Sequence, residues 1–396
     1  MNWKSLLLVF LVLDLLSAGE AASEENGNAL ALTMYRVLAG KTQGNIVYSP
    51  YSLEALLAVL GEGADRGTRE EIRALLKSAP RDFQATGETL LKSAVGIWVR
   101  SDYPILESYL RAGRERFGST IESIDFRSGE QSARVINQWI AGQTAGKIQA
   151  LVEPGRLNRD TRLVASSAVY FKGPWSVPFS ENLTRLRPFY VEPEQSVEVP
   201  TMFCQLMPVP YVRLGQVRLL ELPYRDSEFS MILLLPEERG GLPHLESSLD
   251  AASVADYLLR LPTQKELEEE REKSYDSVLG ESDSVLVNVH LPRFGFESAH
   301  DFKPALVFLG MAAAFTDQAD FSRITRRPDL KLSFVTQKAF IHVDERGTEA
   351  GGASVGGMML KSMPENVFCA DHPFLFLVCH RPTGTILFMG RVADPR

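Results

Sequence analysis

Apolar residues recur at helical spacing from Asn28 to Ala39 and again over 53–60, where Gly61 and Gly63 close the run. The stretch 68–77 carries Glu70 and Glu71 in its first turn, where the helix dipole favours acids, and 105–117 and 134–144 add two further helical patterns. Continuous or alternating apolar runs predict strands over 94–99, 163–171, 229–235, 285–291, 332–343, 374–378 and 386–392. Strands that do not alternate regularly with helices predict an α+β chain, not a doubly wound parallel sheet.

Composition adds boundaries to this picture. The chain has 396 residues, 45% hydrophobic, which excludes disorder and supplies ample core material. Forty-two basic against fifty acidic side chains give a net charge of -8, so no overall positive field exists to hold nucleic acid or an anionic membrane. Lys4, the apolar run 6–16 and the small residues Ala18, Gly19, Ala21 and Ala22 read as a secretory signal peptide over 1–21. That predicts a secreted, extracellular protein. The apolar run is broken by Asp14 and is too short to span a bilayer. Cys204, Cys369 and Cys379 are too few for a disulfide scaffold and read as small core residues. Cys369 and Cys379 flank a run read as one strand, in which about 33 Å of extended chain would keep them apart. Two segments are biased in composition: 265–273, rich in Glu and Lys, reads as a solvated insertion continuing to about 283, and 347–357, rich in Gly and Ala, reads as exposed chain.

Catalytic patterns fare poorly. Gly352-Ala353-Ser354-Val355-Gly356 matches the spacing of a hydrolase nucleophile elbow, with Asp371 and His372 following in hydrolase order. An elbow needs a buried strand before it and a helix after it, and Gly-rich chain precedes this one. Asp371 and His372 are neighbours in an extended run, so their side chains are expected on opposite faces, unable to relay a proton. No phosphate loop, His-Glu-x-x-His or paired cysteines appear, and the six histidines show no ligand spacing. Neither a metal nor a cofactor is expected.

The C-terminal quarter carries the decisive pattern. Asp344-Glu345-Arg346-Gly347-Thr348-Glu349-Ala350, followed by Gly and Ala residues and then by Phe368-Cys369-Ala370-Asp371-His372-Pro373-Phe374-Leu375-Phe376, resembles the serpin family. Further similar stretches are 45–52, Gly63-Ala64-Asp65-Arg66-Gly67-Thr68, 136–148, Val169-Tyr170-Phe171-Lys172-Gly173-Pro174-Trp175 and 309–322. The resemblance implies a single α+β domain over 22–396 with three β-sheets, about eight or nine helices and an exposed reactive-centre loop over about 345–367. It also implies a protein that is no enzyme: a target protease cleaves the loop, which inserts into a sheet as a new strand while the protease stays covalently attached. Family spacing places the cleaved bond between Lys361 and Ser362, and a long cation there suits trypsin-like serine proteases. A register one or two residues earlier would put Leu360 or Met359 there, suiting chymotrypsin-like or elastase-like enzymes. The loop hinge is then Glu345, Gly347, Thr348, Glu349, Ala350, Gly351, Gly352 and Ala353. An inserted strand would turn Thr348, Ala350, Gly352, Ser354, Gly356 and Met358 inward, none of them charged, and Glu349 outward.

The resemblance further implies that Arg293 pairs with Glu345, that Trp175 marks the breach where insertion begins, and that Ser49 and Ser52 lie in the shutter that parts to admit the loop. Here the chain departs from the family pattern: Ser167 stands for the usual shutter Asn and Gln337 for the usual His. Both still supply donors and acceptors. A second departure is the short stretch between Lys77 and Ala94, which leaves the family's helix D missing or one turn long and makes heparin activation by that route an unfavoured reading. Asn182-Leu183-Thr184 is the one N-glycosylation sequon. The expected protein is thus a secreted, monomeric glycoprotein that inhibits a trypsin-like protease. The alternative is a serpin without inhibitory activity, acting as a carrier, storage protein or chaperone.

Overall fold

The computed structural model describes residues 28–76, 83, 88–225, 228–263, 266, 267, 269, 286–348 and 366–396. The expected signal peptide, most of the acidic insertion and of the short stretch after Lys77, and Glu349 through Ser362 lie outside the described residues. The described chain begins with α1 (Asn28–Ala39), β1 (Ile46–Tyr48), α2 (Pro50–Gly63), α3 (Arg66–Leu75), β2 (Leu90–Arg100), α4 (Glu107–Phe117), β3 (Thr120–Ile124), α5 (Gly129–Gln143) and β4 (Leu163–Pro174). A strand-rich middle follows: β5 (Arg185–Glu192), β6 (Gln195–Met207), β7 (Tyr211–Leu214), β8 (Val217–Pro223) and β9 (Phe229–Pro236), then α6 (Leu242–Ser248) and α7 (Ala251–Arg260). The remainder is β10 (Val287–Pro292), β11 (Phe294–Asp301), α8 (Lys303–Phe308), β12 (Leu332–Asp344), β13 (Gly347–Thr348), β14 (Asn366–Cys369), β15 (Phe374–His380) and β16 (Thr385–Val392).

Local chemistry sets many of these boundaries. Ser49, extended at φ -114°, caps α2 by accepting the Ser52 N–H, and Pro50 starts the helix where its missing N–H costs nothing. Gly118, in the left-handed region at φ 58°, ends α4. A reciprocal Asp250–Ser253 capping box opens α7. The strands that escape the apolar pattern do so for a reason: β5 is exposed over its first four residues, and β11 alternates buried or half-buried with exposed positions. Each carries too few buried side chains to stand out in the sequence.

The strands form three sheets. Two have six strands, ordered β1-β16-β15-β9-β8-β7 and β11-β12-β13-β4-β2-β3, and one has four, ordered β14-β10-β6-β5. With eight α-helices among the described residues, this is a single α+β domain with three sheets. The helix α5 packs Ile136 and Ile140 against Trp98, Val164, Ala168 and Phe334, so it lies across β2, β4 and β12. Each fully buried isoleucine there contributes roughly 1.5–3 kcal/mol. No helix among the described residues is long and apolar enough to cross a membrane.

Candidate functional site

The strands β12 and β4 are neighbours in two different ways. From Leu332 opposite Leu163 to Ala339 opposite Val169 they pair directly and in parallel. Above that point β13 enters between them, antiparallel to both: Thr348 faces Val343 and Gly173, and Gly347 faces Asp344 and Pro174. Only glycine fits at 347, because a Cβ there would lie 2.2 Å from the Gly173 carbonyl oxygen.

Side chains from several elements hold the root of this short strand. The Glu345 side chain is only 3% exposed and meets Arg293 through Nε at 2.7 and 2.9 Å and Nη2 at 2.5 Å. The Thr184 hydroxyl also donates to Glu345 Oε1. Burial alone would raise this carboxyl, but the Arg293 and Thr184 hydrogen bonds outweigh it and hold the pKa below the ordinary glutamate value. Arg346 pairs with Glu181 at 2.8 Å, and the Asp344 carboxylate accepts the backbone N–H groups of Arg346 and Gly347. Trp175 donates its indole N–H to the Asp344 carbonyl at 3.0 Å and its backbone N–H to the Arg346 carbonyl at 2.9 Å. Its ring stacks on Tyr224, centroids 4.8 Å apart, and the Tyr224 hydroxyl meets the buried Thr348 hydroxyl at 2.7 Å.

Lower down, where the strands pair directly, Gln337 ties them to α2. Its Nε2 donates to the Ser49 carbonyl at 3.0 Å and to Ser167 Oγ at 3.2 Å, while its Oε1 accepts the Ser49 N–H at 2.8 Å. Ser49 Oγ donates to the Leu387 carbonyl and accepts the Ser52 N–H, and the Ser93 hydroxyl reaches Ser52. Ser49, Ser52, Ser167 and Gln337 are all fully buried. Every polar side-chain atom of Gln337 is engaged except one lone pair, so the net is closed without the usual Asn and His.

A family model described as serpin (serine protease inhibitor) matches residues 25–395. The chain is a serpin. The leukocyte elastase inhibitor of Sus scrofa is 33% identical over 387 residues, covering 92% of this chain and 97% of that protein. An uncharacterized serpin-like protein of Thermococcus kodakarensis is 34% identical, covering 97% of this chain and 88% of its own. Among solved structures, Serpin48 of the insect Tenebrio molitor superposes with a TM-score of 0.79 at 31% identity, covering 94% and 98% of the two chains.

Within this serpin, the structure brings Glu345, Gly347, Thr348, Arg293 and Trp175 together at one end of the sheet, and Ser49, Ser52, Ser167 and Gln337 in its middle. Asn182 is exposed in the short 3-10 turn Glu181–Leu183. Lys361, Ser362, Glu349, Ala350, Gly351, Gly352 and Ala353 fall outside the described residues. Two expectations are corrected. Asp371 and His372 do not point apart: the chain bends between β14 and β15, and His372 Nδ1 lies 2.8 Å from Asp371 Oδ1. The pair is still no hydrolase relay, because His372 is 2% exposed and its other nitrogen is engaged by the Pro236 carbonyl. The same bend separates Cys369 from Cys379 where one continuous strand was expected. All three thiols are free, but only Cys379 is fully buried. Burial pushes Cys204 and Cys369 up to about 11 and Cys379 to about 12, so none is a thiolate at neutral pH.

Sequence reasoning passed over Thr184, Glu181 and Tyr224. Thr184 carried a signal, but only as the last residue of the sequon. Tyr224 belongs to no motif, and its place beside Thr348 depends on how β8 ends against β4.

Proposed function

We propose that this serpin is a secreted inhibitor of trypsin-like serine proteases that acts as a suicide substrate. In this reading the protease serine attacks the Lys361 carbonyl, an ester to the protease forms, the bond to Ser362 breaks, and the Ser362 nitrogen leaves as an amine. The freed chain upstream of Lys361 then continues β13 down between β12 and β4. The supporting observation is the seating of Gly347 and Thr348 as the first two residues of a strand between β12 and β4. Continuing it exchanges one parallel pairing for two antiparallel ones, which adds backbone hydrogen bonds of the slightly stronger kind. Glu345 with Arg293 acts as the latch on the root, Trp175 and Tyr224 as its seat, and the Gln337 network as the seam that must part. The signal peptide over 1–21, glycosylation at Asn182 and action as a monomer belong to the same reading.

The Sus scrofa relative is named a leukocyte elastase inhibitor. Specificity in this mechanism follows the residue before the cleaved bond, so Lys361 directs this chain to proteases with an acid at the base of their primary pocket. Incubation with trypsin is expected to give an SDS-stable complex, and Lys361→Ala to abolish it. Cleavage without complex would sink the inhibitor reading, and a Lys361→Ala variant that still traps trypsin would sink the site assignment.

The carrier reading draws on one observation of its own. A cavity of about 890 Å³ opens between the ends of β8 and β9, the helix α7 and the turn before β16, walled by Tyr224, Leu258, Leu259 and Leu261. Glu221, 4% exposed and paired with Arg381 at 3.0 Å, lies in its wall. A chain that binds an amphipathic small molecule there and never traps a protease would favour this alternative.

A further inference from the structure

The two sides of β2 are covered unequally. On one side β2 pairs with β4 from Leu90 to Val99. On the other, β3 covers only Gly96 to Arg100, because the chain before Thr120 turns away at Gly118 into the end of α4. Leu90–Val95 therefore presents an open edge, and among the described residues nothing bonds its backbone on that side. Edges of this kind are normally blunted by proline, charge or a bulge. β5 carries Arg185, Arg187 and Pro188 along its edge, whereas Leu90–Val95 has no proline, pairs with β4 without a bulge, and has Lys92 as its one charge.

This edge is recessed. A slot of about 520 Å³ runs along it, walled by Tyr51 and Ala55 of α2, by Gly142 and Gln143 at the end of α5, and by Phe117 where α4 gives way to β3. Odd-numbered residues of β2 face α2, as the Ser93–Ser52 contact shows, and even-numbered ones face α5, where Trp98 packs. At the other end Thr89 is 4% exposed and lines the slot, yet its hydroxyl has no hydrogen-bond partner. Buried hydroxyls are ordinarily paired, so an unpaired one in the wall of a slot points to an occupant. The recess decides which occupant fits. The edge of another folded sheet, a second copy of this chain included, would meet α2 and α5 before it met β2, whereas a single extended chain needs only about 4.8 Å beside the strand.

We propose that Leu90–Val95 binds an extended segment of another polypeptide as an added strand, on the far side of β2 from β4. Backbone hydrogen bonds supply the affinity and alternate side chains the specificity. Residues of the segment turned toward α2 meet Tyr51 and Ala55 and are apolar; those turned toward α5 meet Gln143 and the exposed Lys92, and are polar with one acid. The β12–β4 seam stays closed throughout, so the proposal does not depend on protease trapping. The full-length protein is titrated with an end-blocked hexapeptide in which Val alternates with Thr and one Glu, followed by fluorescence anisotropy. Two N-methylated versions, one blocked at the Val amides and one at the others, test the backbone bonds, since only one set can face β2. One version should bind about tenfold more weakly or worse, and the other should bind like the parent. In the complex, amides of alternate residues over 90–95 should exchange about tenfold more slowly, and those over 332–339 should not change. Gly142→Phe, at a position where a Cβ meets nothing within 4 Å, should weaken binding about tenfold without lowering the melting temperature. Lys92→Glu should reverse the preference for the Glu peptide over its Lys counterpart. Equal binding of the two methylated peptides, or amides over 90–95 that stay fast in the complex, would overturn the proposal. So would slowing over 332–339, which would put the peptide in the seam, or protection of 90–95 without peptide. Such protection at every protein concentration would mean that the chain covers its own edge, and protection that grows with concentration would mean that a second copy does.

Discussion

The upper and middle parts of the β12–β4 pair are built from the same two strands and held by opposite means. At the top, the strands are already parted by Gly347 and Thr348, and the wedge is fixed from outside the pair by Arg293, Thr184, Trp175 and Tyr224. In the middle, they are closed by their own ladder, and the Gln337 side chain ties β12 to both β4 and α2. The top is thus a latch, whose parts can be removed singly with local effects. The middle is a seam, whose loss is felt by the whole domain.

The comparison is broken most severely at Gln337. Gln337→Ala strands the Ser49 N–H and the Ser167 hydroxyl in the interior and leaves the Ser49 carbonyl with the Leu53 N–H alone, and is expected to cost about 3 kcal/mol or more of global stability, read from the urea midpoint. Amide exchange at Gly347 and Thr348 should keep its wild-type protection relative to the rest of the sheet; selective loss there would erase the distinction between latch and seam. Next in size, Arg293→Ala leaves Glu345 buried without its cation. Arg293 is 42% exposed, so the cost is about 2 kcal/mol, below that of breaking a wholly buried pair. Hydrogen exchange should quicken over 345–348 and remain unchanged at 163–169.

Smaller again is the hydroxyl pair above the wedge. Thr348→Val and Tyr224→Phe are each expected to cost about 1 kcal/mol, and the double variant less than their sum, since both remove one shared bond. Additive costs would mean that the two hydroxyls act independently. The smallest effect is on pH. Glu345 has a folded pKa below its unfolded value near 4.3, so its contribution is complete above about pH 4.3 and is lost as pH falls through the lower folded value. Melting temperatures of wild type and Glu345→Gln, measured from pH 6 to 3, should converge at the acid end.

The fold was legible wherever burial was continuous. β4 and β9 are buried almost throughout and stand out as apolar runs, whereas β5, half exposed on an open edge, does not. At the site, the resemblance to the family pointed to Glu345, Arg293, Trp175 and the residues around Gln337. It could not reveal Tyr224, because a tyrosine at the end of β8 becomes a partner of Thr348 only once β4 and β13 have taken their places beside it. It also misjudged Asp371 and His372, since a bend of the chain at His372 is invisible in a run that reads as extended.

One consequence follows from the parallel pairing of β12 with β4. Parallel neighbours cannot be joined by a hairpin, and here seven strands, β5 through β11, lie along the chain between them. The sheet can therefore split along this line into β11-β12-β13 on one side and β4-β2-β3 on the other without undoing a single hairpin. It is a fault line laid down by the order of the chain, and the two halves can drift apart as intact blocks.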